Sequence, residues 1–169
     1  MFLKYNFKKG PSVKIRKATK DDSNLILGFI KSLAEFEKLS HEVVATEEKI
    51  SETIFDNKNA EVVIAETETD GPVGFALYFK TYSTFLAQPG MYLEDLFVLP
   101  EQRGKGYGTA LLKHLAGIAR ENHFGRFEWS VLNWNQKAID VYEKIGASPQ
   151  KEWTAYRLNS SSLKTFAGK

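Results

Sequence analysis

Between Asp21 and Phe36, Leu25, Ile26, Phe29, Ile30, Leu33 and Phe36 recur at the three-and-four spacing of a helix with one buried stripe. Asp21, Asp22 and Ser23 stand in front of it as N-terminal caps. Upstream, Val13, Ile15 and Ala18 are set among Lys14, Arg16 and Lys17 as in a short strand. Thr46 is placed to cap a second, shorter helix with Ile50, Ile54 and Phe55 on its inner side. After Asn57-Lys58-Asn59 the period changes to two. Residues 61–67 and 73–82 predict an antiparallel hairpin, because Glu68-Thr69-Asp70-Gly71-Pro72 between them is dense in turn formers. A loop over 83–90 and a buried strand over 91–99 follow.

That strand runs into Arg103-Gly104-Lys105-Gly106-Tyr107-Gly108, and the glycine-rich turn opens directly into a helix over 109–122 carrying Leu111, Leu112, Leu115 and Ile118. Alternate glycines let successive N–H groups converge on an anion, with the positive end of the helix dipole behind them. The pattern reads as a pyrophosphate cradle, with Arg103 and Lys105 adding positive charge and Glu94 and Asp95 a few residues upstream. Two other phosphate motifs fit less well. The dinucleotide fingerprint lacks its third small residue, since Thr109 stands there, although Glu128 lies at about the offset of a ribose-binding acid. No Gly-Lys-Ser/Thr closes a P-loop. Beyond the helix, 127–132 predicts a strand, 136–145 a helix stopped by Gly146, and 153–158 a last strand.

Composition narrows the field. A chain of 169 residues with 43% apolar and 13% aromatic content suits one α/β domain over 13–169, preceded by an extension over 1–12. The formal net charge of +2, with acids and bases interspersed, does not suggest nucleic-acid binding. No apolar run reaches a membrane span, and the N-terminal order is not that of a signal peptide, so a cytoplasmic protein is expected. Without cysteine there is no thiol to carry an acyl group or to bind metal, and His41, His114 and His123 show no ligand spacing.

The Arg-x-x-Gly-x-Gly pattern of Arg103, Gly106 and Gly108, between an apolar strand and an amphipathic helix, resembles the acetyl-CoA loop of the GNAT superfamily of N-acetyltransferases. Tyr92-Leu93-Glu94-Asp95, Glu35-Phe36-Glu37, Trp134-Asn135 and Val141-Tyr142-Glu143-Lys144-Ile145-Gly146-Ala147 are similar to the diamine (spermidine/spermine) acetyltransferase branch. The resemblance implies an α/β fold with a mixed, mostly antiparallel central sheet flanked by helices. It implies acetyl-CoA as co-substrate, no metal, and a homodimer. The reaction implied is direct acetyl transfer to a primary amine of a diamine, polyamine or lysine-like amino acid. An acyl-CoA-binding sensor or interaction module without turnover is the alternative on the same fold.

By the same resemblance Glu94 matches the catalytic base and Tyr142 the general acid, while Phe36, Glu37, Glu94 and Asp95 face the amine. Backbone groups of Leu96, Phe97 and Val98 pair with the pantetheine arm, near which Asn135 lies. Arg103, Gly104, Lys105, Gly106, Tyr107, Gly108 and Thr109 hold the pyrophosphate. From the residues alone, Glu94 could equally pair with a lysine at a sheet edge, Glu37 could be a solvated helix end, and Tyr142 could be core. Adjacent acids on a regular strand point to opposite faces, so only a bulge would let both serve one pocket. Where the diamine enzymes carry an acid and a tryptophan, this chain has Ser83 and Phe85, which favours shorter amines over long polyamines.

Overall fold

The computed structural model describes residues 12–168, so the expected extension over 1–12 lies, apart from Ser12, outside the described residues. The chain divides into two compact units, Met1–Ser130 and Val131–Lys169.

The first unit contains β1 (Lys14–Lys17), α1 (Ser23–Phe36), α2 (Glu47–Ile50) with a wider helical turn over Ser51–Asp56, β2 (Glu61–Thr67), β3 (Gly71–Ser83), β4 (Gln88–Val98), α3 (Tyr107–Glu121) and β5 (Phe127–Trp129). The strands form one five-stranded sheet in sequence order, antiparallel as far as β4 and parallel between β4 and β5. The mixed, mostly antiparallel sheet is the one expected.

The period-two segments pair so that Ile64, Phe75 and Phe97 share one face. Ile26 and Phe29 of α1, Ile50, and Ile54 in the turn after α2 close over that face, and the Phe29 and Phe75 rings stack at 5.3 Å. Val63, Ala76 and Leu96 share the other face, where α3 begins with Gly108 against Leu96 and Val98. The apolar stripes read from the sequence are therefore two helical layers on one sheet.

Asp22 stands at the N-cap of α1, but its side chain makes no bond to the helix's first turn and turns instead to Arg16 and the Thr19 N–H. Arg16 on β1 grips its carboxylate with two 2.7 Å bonds and reaches Glu66 on β2 at 2.7 Å. That guanidinium holds the Asp22 carboxyl down at about 2, tying the start of α1 to the sheet. Thr46 accepts a 3.3 Å bond from the Lys49 N–H, as its sequence position predicts.

Several boundaries differ from expectation, two of them at the edge of the sheet. β4 begins at Gln88 rather than Met91, because Tyr82 pairs with Pro89 and Thr81 with Gly90 in the continuing ladder. The Pro89 carbonyl accepts from the Gly125 N–H at 2.8 Å, and a Cβ on Gly90 would lie 2.7 Å from Thr81 Oγ1. Residues that look like breakers are here the ones that fit an edge and a close approach. The expected strand over 127–132 ends at Trp129, where its pairing with β4 ends.

In the second unit, α4 (Gln136–Lys144) and α5 (Ser160–Ala167) are the regular elements. The Asn135 carboxamide caps α4 by accepting from Ala138 N–H at 3.3 Å. Gly146, at φ +92°, ends it with bonds from its own N–H to Glu143 O and from Ala147 N–H to Tyr142 O. The expected last strand over 153–158 is not formed. No ladder among the described residues includes these residues, and alternation without a partner does not make a strand. Instead Asn159 caps α5, unforeseen from the pattern, by accepting from Ser162 N–H at 2.9 Å.

Candidate active site

The second half of β4 is where regularity breaks. β3 pairs Leu77 with Asp95 and the next residue, Tyr78, with Leu93, so Glu94 is an extra residue on β4. A bulge of this kind cancels the alternation that would send Glu94 and Asp95 to opposite sides. It stands where β5 stops, since β5 pairs with Met91, Tyr92 and Leu93 and no further. Beyond it, Asp95–Val98 keep β3 on one side, and among the described residues no strand pairs on the other. An open strand edge presents N–H and C=O groups to any extended, amide-bearing ligand, which is what the resemblance asks of Leu96, Phe97 and Val98.

Asp95 lies on the same face as its partner Leu77, the face covered by α1. Burial, with the nearby charges of Glu94 and Glu37, pushes its carboxyl up to about 6. Burial also raises Glu37, at the C-terminal end of α1. The sequence reading placed Glu37, Glu94 and Asp95 at one amine pocket, and in the structure the charges of Glu94 and Glu37 both act on Asp95. Like charges held this closely favour a cation between them.

At the end of β4, the turn Pro100–Gln102 leads into the glycine loop. Gly104 at φ +76° and Gly106 at φ +89° occupy the left-handed region, and Gly106 is the N-cap of α3. A Cβ at either would meet nothing within 4 Å, so the loop is open to solvent where an anion would sit. The first-turn amides of Tyr107, Gly108 and Thr109 have no carbonyl within the helix to bond, the condition for anion binding at a helix start.

Two side chains of this loop are already engaged. Lys105 Nζ donates to Gln102 Oε1 at 2.7 Å, and Gln102 is buried. Gln102 escaped the sequence reading, although a lone amide opening a glycine-rich turn is a signal of such a brace. Arg103 turns away from the loop: its Nε donates to the Val98 carbonyl at 2.9 Å, and its guanidinium carbon lies 4.2 Å from the Phe36 ring centroid and 5.2 Å from that of Phe97. Phe36, which the resemblance assigns to the amine, thereby touches the loop's Arg103, a contact the sequence did not reveal.

Ser83 is buried at the far end of β3, where its Oγ accepts from the Leu86 N–H at 3.3 Å. Its hydroxyl serves the turn. Glu128, the residue at the ribose-acid offset, is paired to Arg126 at 2.7 Å. A hollow of about 520 Å³ at the opposite end of the sheet from the glycine loop, floored by Ile54, Val62 and Phe79, contains none of the candidate residues.

Tyr142 and Asn135 belong to the second unit, on and before α4. Tyr142 is half-buried, and burial raises its phenol, so it keeps its proton at neutral pH. The carboxamide oxygen of Asn135 is committed to the cap of α4.

Several known proteins are similar to this chain. The thialysine N-epsilon-acetyltransferase of Mus musculus is 36% identical over 169 residues, covering 94% of this chain and 99% of its own length. The L-ornithine N5-acetyltransferase of Arabidopsis thaliana is 32% identical, covering 90% of this chain and 87% of its own length. Among solved structures, an integron cassette protein from the mobile metagenome of V. cholerae matches with a TM-score of 0.77 and 31% identity, over 95% of this chain and 100% of that one. Residues 30–147 match the acetyltransferase (GNAT) family, a span that runs from α1 through the bulged strand and the glycine loop to the end of α4, and the chain belongs to that family.

Proposed function

We propose that this acetyltransferase moves the acetyl group of acetyl-CoA directly to the primary amine of a small cation. Lysine-like or ornithine-like amino acids and short diamines stand ahead of long polyamines. The observation that carries the reading is the convergence of Glu37, Glu94 and Asp95 beside the open edge of β4. The names of the mouse and Arabidopsis relatives, which act on thialysine and ornithine, support the substrate class. So does Ser83, whose hydroxyl is spent on a turn where the diamine pattern has a carboxylate for a distant ammonium.

Acetyl-CoA supplies the activated thioester. The amide groups of Gly104, Gly106, Tyr107, Gly108 and Thr109, with the charge of Lys105, hold its pyrophosphate, and Arg103 enters through its backbone. Leu96, Phe97 and Val98 align the pantetheine arm by strand-like pairing, with Asn135 beside it. An alkyl ammonium with a pKa of about 10.4 costs on the order of 4 to 5 kcal/mol to deprotonate near pH 7. Glu94 takes that proton, directly or through water, while Asp95, Glu37 and Phe36 hold the rest of the amine. Tyr142 donates a proton to the departing thiolate. With no cysteine in the chain, there is no thiol for the acetyl group to rest on. The domain is read as continuous over 13–169 from length and composition, the protein as cytoplasmic from its lack of a membrane-spanning or signal-like run, and as a homodimer that uses no metal from the family resemblance.

CoA release measured with thialysine, ornithine, 1,3-diaminopropane, spermidine and spermine tests the proposal. We expect the first three to show the higher kcat/KM. A tenfold preference for spermine over every shorter amine would restore a polyamine enzyme. No release with any of them would leave a binding module.

A further inference from the structure

Arg103 belongs by sequence to the cofactor loop and by contact to the amine pocket. It directly precedes Gly104, yet its guanidinium lies against Phe36, the last residue of α1, and Phe97 of β4, with Nε fixed on the Val98 carbonyl. A planar guanidinium is held by its faces as well as its edges, so two rings and one carbonyl define its position. Glu37 follows Phe36 directly and is close enough to Asp95 for its charge to act there.

We propose that Arg103 is a positioning residue that couples the two pockets. A pyrophosphate in the glycine loop fixes the backbone of Arg103. That fixes the guanidinium between its rings, and through Phe36 the end of α1 that presents Glu37 to the amine. Gly104 and Gly106 are left-handed with open space around them, so a pyrophosphate seated there restricts glycine backbone that is otherwise free to move, and the second ligand meets a loop already restricted. By reciprocity, the amine tightens CoA by the factor with which CoA tightens the amine. The inference rests on the acetyltransferase reading above. Its rival is that the Arg103 side chain swings out and acts simply as a charge on the pyrophosphate.

Arg103→Lys separates the two, because lysine keeps the charge and loses the planar stack. Phe36→Leu removes the ring and leaves the loop intact. Calorimetry with CoA and thialysine, each titrated alone and in the presence of the other, gives the coupling factor. We expect mutual tightening of roughly 5- to 20-fold in the wild type, within the usual range for coupled sites, and less than about twofold in either variant. Hydrogen exchange supplies a second readout. CoA should slow the amides of Glu37, Lys38 and Leu39, which bond to Leu33, Glu35 and Ala34 carbonyls, in the wild type and not in Arg103→Lys. Full coupling retained in Arg103→Lys, or CoA weakened with the coupling factor unchanged, would identify Arg103 as a phosphate ligand and overturn the link. So would a wild type that binds both ligands with no mutual effect, and acetyl transfer would still stand. A wild type that binds neither CoA nor thialysine removes the acetyltransferase reading, and the link with it.

Discussion

A carboxyl held near pH 6 is part-protonated in mildly acid solution and fully charged at pH 8, and Asp95 is such a group. Its folded value stands above the ordinary carboxylate value, so between about pH 4 and 6 the native state binds more protons than the unfolded one. Stability contributed by this group is therefore lost as pH rises through that window. Asp95→Asn should accordingly melt higher than wild type at pH 8 and match it at pH 4, as urea or thermal unfolding will read. Binding has the opposite dependence. Thialysine affinity of the wild type should fall more steeply as pH drops from 7 to 5 than that of Asp95→Asn, which is weaker at pH 7 and keeps only the dependence of the remaining acids, and equal slopes in calorimetry would remove Asp95 from the amine pocket. The proton carriers separate by kinetics: Tyr142→Phe should lower kcat by about 10² with CoA affinity kept, whereas Glu94→Gln should flatten the rise of kcat/KM with pH. Wild-type rates and profiles in both would overturn the catalytic assignment.

Among the elements, the loop before α3 offers the cleanest test. Gly106 sits at φ +89° with open space around it, so Gly106→Val meets no neighbour but must hold a β-branched residue in the left-handed region and fill the anion's place. Severe loss of CoA affinity with the circular dichroism of the fold retained is the expected outcome, and unchanged affinity would reject the loop as the pyrophosphate site. This loop was legible in the sequence because its glycines are punctuation that few other needs explain. The α1 stripe and the β2–β3 hairpin were legible because periods of 3.6 and 2 report a buried face directly. The bulge was not. Leu93-Glu94-Asp95-Leu96 reads alike whether or not one residue is extra, since only the register against Leu77 and Tyr78 reveals it. The side-chain direction of Arg103 was hidden for a related reason: its partners, Phe36 and Phe97, are distant in sequence or on another element. The strand expected over 153–158 failed because alternation describes a segment and pairing describes a sheet.

At the scale of the whole chain, one sheet carries two kinds of order. From β1 to β3 it is a ladder whose pairs build the cores on both faces, interrupted only by an irregularity at Ala65/Glu66. From β4 onward pairing thins on one side only: β4 keeps its ladder with β3, β5 contributes three residues, and among the described residues no strand pairs with Glu94–Val98 on that outer side. Removing Glu94 altogether would bring Leu93 and Asp95 into direct succession opposite Tyr78 and Leu77. Regular pairing would return with every core side chain on its present face. We expect such a deletion to melt at or above the wild-type temperature and to turn over no amine, and a melting temperature lowered by ten degrees would show that the extra residue is part of the packing. A melt at or above the wild-type temperature would make the inserted residue a concession of robustness to chemistry, with the chain less sturdy than its own sequence could make it by a single codon.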